Sequence, residues 1–146
     1  DTALKDFEPD SFDVITLWHV MEHLEPLNEV WETLNSLLTE KGVLIVAVPN
    51  CSSYDARKYG AYWAAYDVPR HLWHFIQQLG SKHGFILAER HPMPFDAFYI
   101  SMLTEKNMRH PCPFVRGMIT GTLAWLHALV KKERSSSMIY VFRKKR

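Results

Sequence analysis

The sequence predicts an α/β fold: the later half of a wound, mostly parallel sheet, with helices on both faces. Three observations carry this. The run Phe12–Val20 (FDVITLWHV) is almost continuously apolar and rich in β-branched residues, the mark of a strand buried on both faces. A helical stripe follows it, and Val43–Val48 then repeats the buried-strand pattern. Strand, helix and strand at this spacing make a βαβ unit with its crossover connection.

Each element has its own signals. Pro9-Asp10-Ser11 bounds the first strand. Leu27, Val30, Trp31, Leu34, Leu37 and Leu38 form one apolar face of the first helix. Pro26 suits its first turn, and Gly42 suits its stop. Pro49-Asn50 closes the second strand. From Cys51 to Arg70 runs a long segment carrying Tyr54, Tyr59, Tyr62, Trp63 and Tyr66, either packed as core or arranged as a cage for a cation. Leu72, Phe75, Ile76 and Leu79 give a further helical stripe, ended at Gly84, and Phe85–Arg90 reads as a third strand. Residues 92–113 are irregular, with a short helix near Phe98–Lys106. Phe114–Val130 is helical, and Met138–Arg143 is a final strand. The expected division is a core over 1–91, a helical insertion or lid over 92–136 and a last strand over 137–146.

Composition narrows the function classes. The chain is 47% hydrophobic and 13% aromatic, enough for a core. Its net charge of +1 supplies no field for nucleic acid. Charge is acidic at the start (Asp1, Asp6, Glu8, Asp10, Asp13) and basic at the end (Arg143, Lys144, Lys145, Arg146), read as solvated ends of elements. Cys51 and Cys112 lack ligand spacing and suggest no disulfide framework, so a reducing cytoplasm is expected. Residues 114–130 are apolar, but Arg116 and His127 interrupt them, so a core or lid helix is expected before a membrane span. An amphipathic helix meeting a greasy substrate or lipid stays open as a second reading.

The glycines say what is missing. Gly42, Gly60, Gly80, Gly84, Gly117 and Gly121 form no G-x-G, and none directly follows a buried strand. A sheet of this kind that binds a nucleoside or phosphate carries such a turn after its first strand. The first strand also begins almost at the N-terminus, and the chain opens on Asp1 rather than Met. Either the chain is a small stand-alone α/β domain or its first strands lie upstream; the Asp1 start hints at an excised or processed segment, which would leave the first strand as a sheet edge prone to self-association.

The run PDSFDVITLWHVMEHLEPLNEVWETLNSLLTEKGVLIVAVPN resembles the middle of class I S-adenosylmethionine-dependent methyltransferases. In that family a strand with an F-D-V-I core ends in an E-H-L/V element, here Glu22-His23-Leu24. A helix then leads to a strand closed by P-N, here Leu38 through Asn50. YDVPRHLWHF (Tyr66–Phe75) and HGF (His83–Phe85) resemble the small-molecule branch that includes ubiquinone-type methyltransferases. The resemblance implies strands four to seven of a Rossmann-like seven-stranded sheet, the last antiparallel. It implies S-adenosyl-L-methionine as cofactor and a small-molecule methyl acceptor.

The resemblance also places residues. Trp18, His19 and Val20, with His23, would face the cofactor's methionine and adenosine end. Tyr66, Asp67, Arg70 and His71 are the acceptor-side residues, in a loop on the functional edge of the sheet. Asp67 or His71 would take a proton, and His19 joins them as a catalytic candidate. The bland readings are strand-end packing for Trp18 and Val20, a cap for Glu22 and an Asp67–Arg70 pair that pins the loop. His71-x-x-His74 would suit a metal only on a helix, with no further ligands evident, so no metal is assigned. Region 92–134 is expected to choose the acceptor. Without the glycine loop the chain is expected to be inactive alone. The competing readings are a non-catalytic interaction module derived from a methyltransferase and another Rossmann-like enzyme such as a reductase, against which the EHL element and the VPN strand end argue.

Overall fold

A computed structural model describes residues 4, 6–75 and 83–145. The elements are β1 (Phe12–Trp18), α1 (Leu27–Leu37), β2 (Leu38–Pro49), α2 (Tyr54–Tyr59), β3 (Phe85–Met93), α3 (Asp96–Asn107), α4 (Pro113–Val130) and β4 (Ser137–Lys144). The sheet order is β1-β2-β4-β3. β1 runs parallel to β2, and β4 runs antiparallel to both β2 and β3. This is the expected α/β arrangement, with the antiparallel strand inserted between its neighbours.

Two expectations change in detail. Helix α1 stops at Leu37, where Leu38 turns extended (φ −75°, ψ 140°), so Gly42 lies inside β2 rather than ending the helix. Phe12 pairs with Leu38 but Val14 pairs with Val43, so β2 carries extra residues there and bulges. A Cβ on Gly42 would stand 2.8 Å from Leu38 Cδ2 and 2.9 Å from the Thr39 carbonyl oxygen, which explains why glycine sits in the bulge. β1, expected to be buried on both faces, is buried on neither completely. Ile15 and Leu17 pack against the core, whereas Val14 and Trp18 are 53% and 50% exposed. The reason is position: β1 is the sheet edge in this chain, as the reading of its N-terminus expected.

The main core lies between α1 and the sheet. Trp31 and Leu34 of α1 meet Leu44, Val46 and Val48 of β2, Phe85 of β3, and Tyr140 and Phe142 of β4. Each fully buried side chain of this size contributes about 1.5–3 kcal/mol relative to exposure. Ala56, Tyr59, Trp63, Ala65 and Ile100 form a second cluster. Tyr59 and Trp63 are thus core, while Tyr62 is exposed. Helix α4 lies on α3 through a face of small residues, Gly117, Thr120, Gly121, Ala124 and Ala128. A Cβ on Gly117 would collide with the Met102 backbone, and one on Gly121 would come within 2.8 Å of Phe98 Cα. Among the described residues no helix is long and apolar enough to cross a membrane.

The stripe expected to make a helix over Leu72–Leu79 falls partly outside the described residues. Leu72 to His74 are not helical, and Phe75 instead forms a bridge to Asn50.

Candidate active site

The site forms where β1 and β2 end. His19 follows β1 with its amide still donating to Ala47 O of β2 (2.9 Å), but its φ is +52°. A left-handed non-glycine residue costs on the order of 1 kcal/mol, and it ends the extended run of β1. The next residues, Met21–His23, make one 3₁₀ turn that buries Met21 and Glu22.

The segment after β2 is fastened by Asn50. Its amide donates to Ser136 O, its side-chain nitrogen donates to Glu133 O and Ser135 O, and its Oδ1 accepts from Ser52. Ser53 Oγ caps α2 by accepting from the Ala56 amide. The chain then reaches Asp67, also left-handed (φ +38°), whose carbonyl accepts from the Arg70 and His71 amides. Arg70 donates to Asp67 Oδ1 at 2.8 Å, the loop-pinning pair. The Leu72 and Trp73 amides donate to Glu22 O, and the Trp73 indole donates to Leu24 O. These bonds join the two strand-end loops into one wall.

Between that wall and α3 lies a cavity of about 390 Å³. His19, Glu22, Asp67, Arg70 and His71 line its polar side, and Asp96, Tyr99, Ile100 and Leu103 of α3 line the other. The His19 ring stands between two carboxylates, with Nδ1 3.3 Å from Glu22 Oε1 and Nε2 3.5 Å from Asp96 Oδ2. Hydrogen bonding to Asp96, then to Glu22, raises the His19 pKa to about 9 despite partial burial. His19 therefore carries a proton at neutral pH and acts there as a donor. Burial would raise the Asp96 carboxyl, but the His19 proton and the Ser137 hydroxyl outweigh it and hold the acid below its ordinary range.

His23 Nδ1 lies 3.0 Å from Arg70 O, His71 Nδ1 lies 2.8 Å from Ala65 O, and the two rings meet edge to face at 4.6 Å. His71 Nε2 is 3.8 Å from Asp67 Oδ2.

Of the residues singled out from sequence, His19, Asp67, Arg70 and His71 come together around the cavity. Tyr66 does not line it; its ring packs against Trp63 and His74. Trp18 and Val20 flank His19 as exposed apolar side chains, and His23 sits behind His71. Sequence reasoning missed Glu22 as a buried cavity residue, and it missed Asp96 and Tyr99. Region 92–134 was singled out as a whole, but no motif marked these positions within it.

The methyltransferase domain family model matches residues 2–85. No curated protein matches the chain. Solved structures do. Haemonchus contortus phosphoethanolamine N-methyltransferase 2 superposes with a TM-score of 0.53 at 15% identity, covering 96% of this chain and 35% of that one. A SAM-dependent methyltransferase from Thermotoga maritima gives 0.56 at 14%, covering 95% and 59%. The cyclopropane synthase MmaA2 from Mycobacterium tuberculosis gives 0.54 at 14%, covering 97% and 58%. The chain thus spans a third to three fifths of the length of these proteins, and at such identities the likeness shows the fold. More than half of the chain lies within the family model, β1, β2 and the loops that follow them included, and the chain belongs to the methyltransferase domain family, whose cofactor is S-adenosyl-L-methionine.

Proposed function

We propose that this chain supplies the acceptor pocket and one wall of the cofactor site of a methyltransferase acting on a small molecule. The cavity at the carboxyl ends of β1 and β2 carries the reading, because open α/β sheets bind ligands there. Its size suits a metabolite rather than a polymer.

The cofactor supplies a methyl group on a sulfonium, which an aligned nucleophile takes. Trp18 and Val20 fit one side of such a group, being apolar, exposed and at the strand mouth. They would hold it together with His19 and His23. On the acceptor side the protonated His19, held between Glu22 and Asp96, lends positive charge to the pocket, and Tyr66 and Arg70 shape the loop. Asp67 or His71 takes the proton that the nucleophile releases. The chain by itself would not turn over, since no two of its glycines make a G-x-G cradle.

Calorimetry of this chain against S-adenosyl-L-methionine tests the inactivity, with no saturable heat expected at micromolar ligand. A micromolar Kd would overturn that part. In any longer form of the protein that transfers methyl groups, Asp67→Asn and His71→Gln are expected to lower turnover by about 10²-fold or more. Unchanged turnover in both would remove the acceptor pocket from the reading.

A further inference from the structure

We propose that Glu22, His23 and His71 form a binding site for a divalent ion of the manganese-to-zinc series. One ligand atom from each residue lies within 4.8 Å of the others. The pairing differs from His71-x-x-His74, which the sequence spacing brings forward but which lacks the helix it needs. Here the two imidazoles come from separate loops, after β1 and after β2.

Two further observations point to a cation. The Glu22 side chain is fully buried; its Oε1 meets the His19 ring at 3.3 Å, and its Oε2 has no hydrogen-bond partner among the described residues. The one His19 cation is shared between Glu22 and Asp96, so the buried Oε2 stays costly until a further cation meets it.

Second, the histidines are prepared as ligands. Nδ1 of His23 faces the Arg70 carbonyl and Nδ1 of His71 faces the Ala65 carbonyl. A carbonyl only accepts, so Nδ1 carries the hydrogen in both rings. The lone pair is then on Nε2, the arrangement that backbone carbonyls impose on metal-binding histidines.

Two imidazoles and one carboxylate favour Zn²⁺, Mn²⁺, Fe²⁺ or Co²⁺ over Mg²⁺ or Ca²⁺, which prefer all-oxygen sets. Tetrahedral ligands on zinc stand roughly 3.3 Å apart, so the three side chains need an inward shift of up to about 1.5 Å. Three protein ligands leave a position open, and both Glu22 and His71 line the cavity. An oxygen of the acceptor would complete the coordination. That role rests on the proposed acceptor pocket; the site itself does not. With His71 committed to the ion, Asp67 is left as the proton acceptor.

Cobalt titration of the chelator-treated chain, followed by calorimetry and visible absorption, tests the site. One Co²⁺ per chain at micromolar affinity is expected, with the absorption of a four- or five-coordinate ion. His23→Gln, at an exposed position, and His71→Gln should each weaken binding by at least about tenfold, while His91→Gln, on the far strand β3, should not. Far-ultraviolet circular dichroism checks that each variant folds. Absent binding, or binding that His23→Gln and His71→Gln leave intact, overturns the proposal. A site that binds Co²⁺ without changing methyl transfer in an active longer form would retain the ion and overturn only the acceptor pocket.

Discussion

The Trp63 indole donates to Asp55 Oδ2 at 2.8 Å inside the second cluster, and Ser136 Oγ donates to the other oxygen of the same carboxylate at 2.7 Å. Asp55 is fully buried. One side chain thereby ties α2, the loop behind the candidate site and the approach to β4. Asp55→Ala would leave two buried donors unsatisfied, and a loss of about 2–4 kcal/mol is expected. Asp55→Asn keeps the shape and one acceptor, so its loss should be smaller. Urea unfolding reads both as midpoint shifts at constant slope. Equal midpoints for wild type and Asp55→Ala would remove this carboxylate from the account of the fold.

Helix α4 lies close to α3 because two of its residues have no side chain. Gly117→Ala would place a methyl group against the Met102 backbone, which cannot swing aside as a side chain can. Gly121→Ala meets Phe98 in the same way. Each should destabilise by about 1–3 kcal/mol through overpacking, although alanine is the better helix former. Thr122→Ala, on the exposed side, should stay within about 0.5 kcal/mol. If the glycine variants melt with that control, the close approach of the two helices is not a constraint.

Glu105 is buried and receives Arg116 Nε at 2.8 Å, His110 Nδ1 at 2.6 Å and Tyr59 Oη at 3.1 Å. Burial would raise its pKa, but Arg116, His110 and Tyr59 together hold it below the ordinary carboxylate value. A carboxyl whose folded pKa is depressed stabilises the fold above its unfolded pKa. That contribution disappears as pH falls through the folded value. Melting temperature should therefore drop as pH is lowered below about 4.3, and Glu105→Gln should drop less over that range while being less stable at neutral pH. Parallel pH profiles for the two proteins would exclude this network from acid denaturation.

The free edge of β1 shows Val14 and Trp18 to solvent on a strand whose outer backbone has no neighbouring strand in the described sheet. Such an edge pairs readily with another chain. Sedimentation velocity is expected to show concentration-dependent self-association, reduced by Val14→Lys. A dilute monomer that stays monomeric on concentration would contradict this.

The parts of the fold legible in sequence are those where periodicity is long. Leu27 to Leu37 shows one apolar stripe, and Val43 to Val48 and Met138 to Arg143 are short runs with clear stops. The β2 bulge was not legible, because Gly42 after Lys41 satisfies the local rule for a helix stop. Only pairing with β1 shows that Leu38 already belongs to the strand. The candidate site divides in the same way. Asp67, Arg70 and His71 are close in sequence and could be grouped. Glu22 looks like a surface cap beside a helix, and its main-chain partners, the Leu72 and Trp73 amides, lie about 50 residues away in sequence. Asp96 and Tyr99 come from a helix whose polar and apolar residues are mixed around its circumference, which leaves no stripe to read.

The position of β4 has a consequence for how the molecule is made. It is translated after every other element described, yet it lies between β2 and β3 and bonds to both. Until Ser137–Lys144 leaves the ribosome, β3 has no strand to join, and β2 presents an open side with Val46 and Val48 unshielded. β3 joins the β1–β2 pair only in that late event. A chain stalled before Ser137 would be a client for chaperones instead of a smaller folded domain.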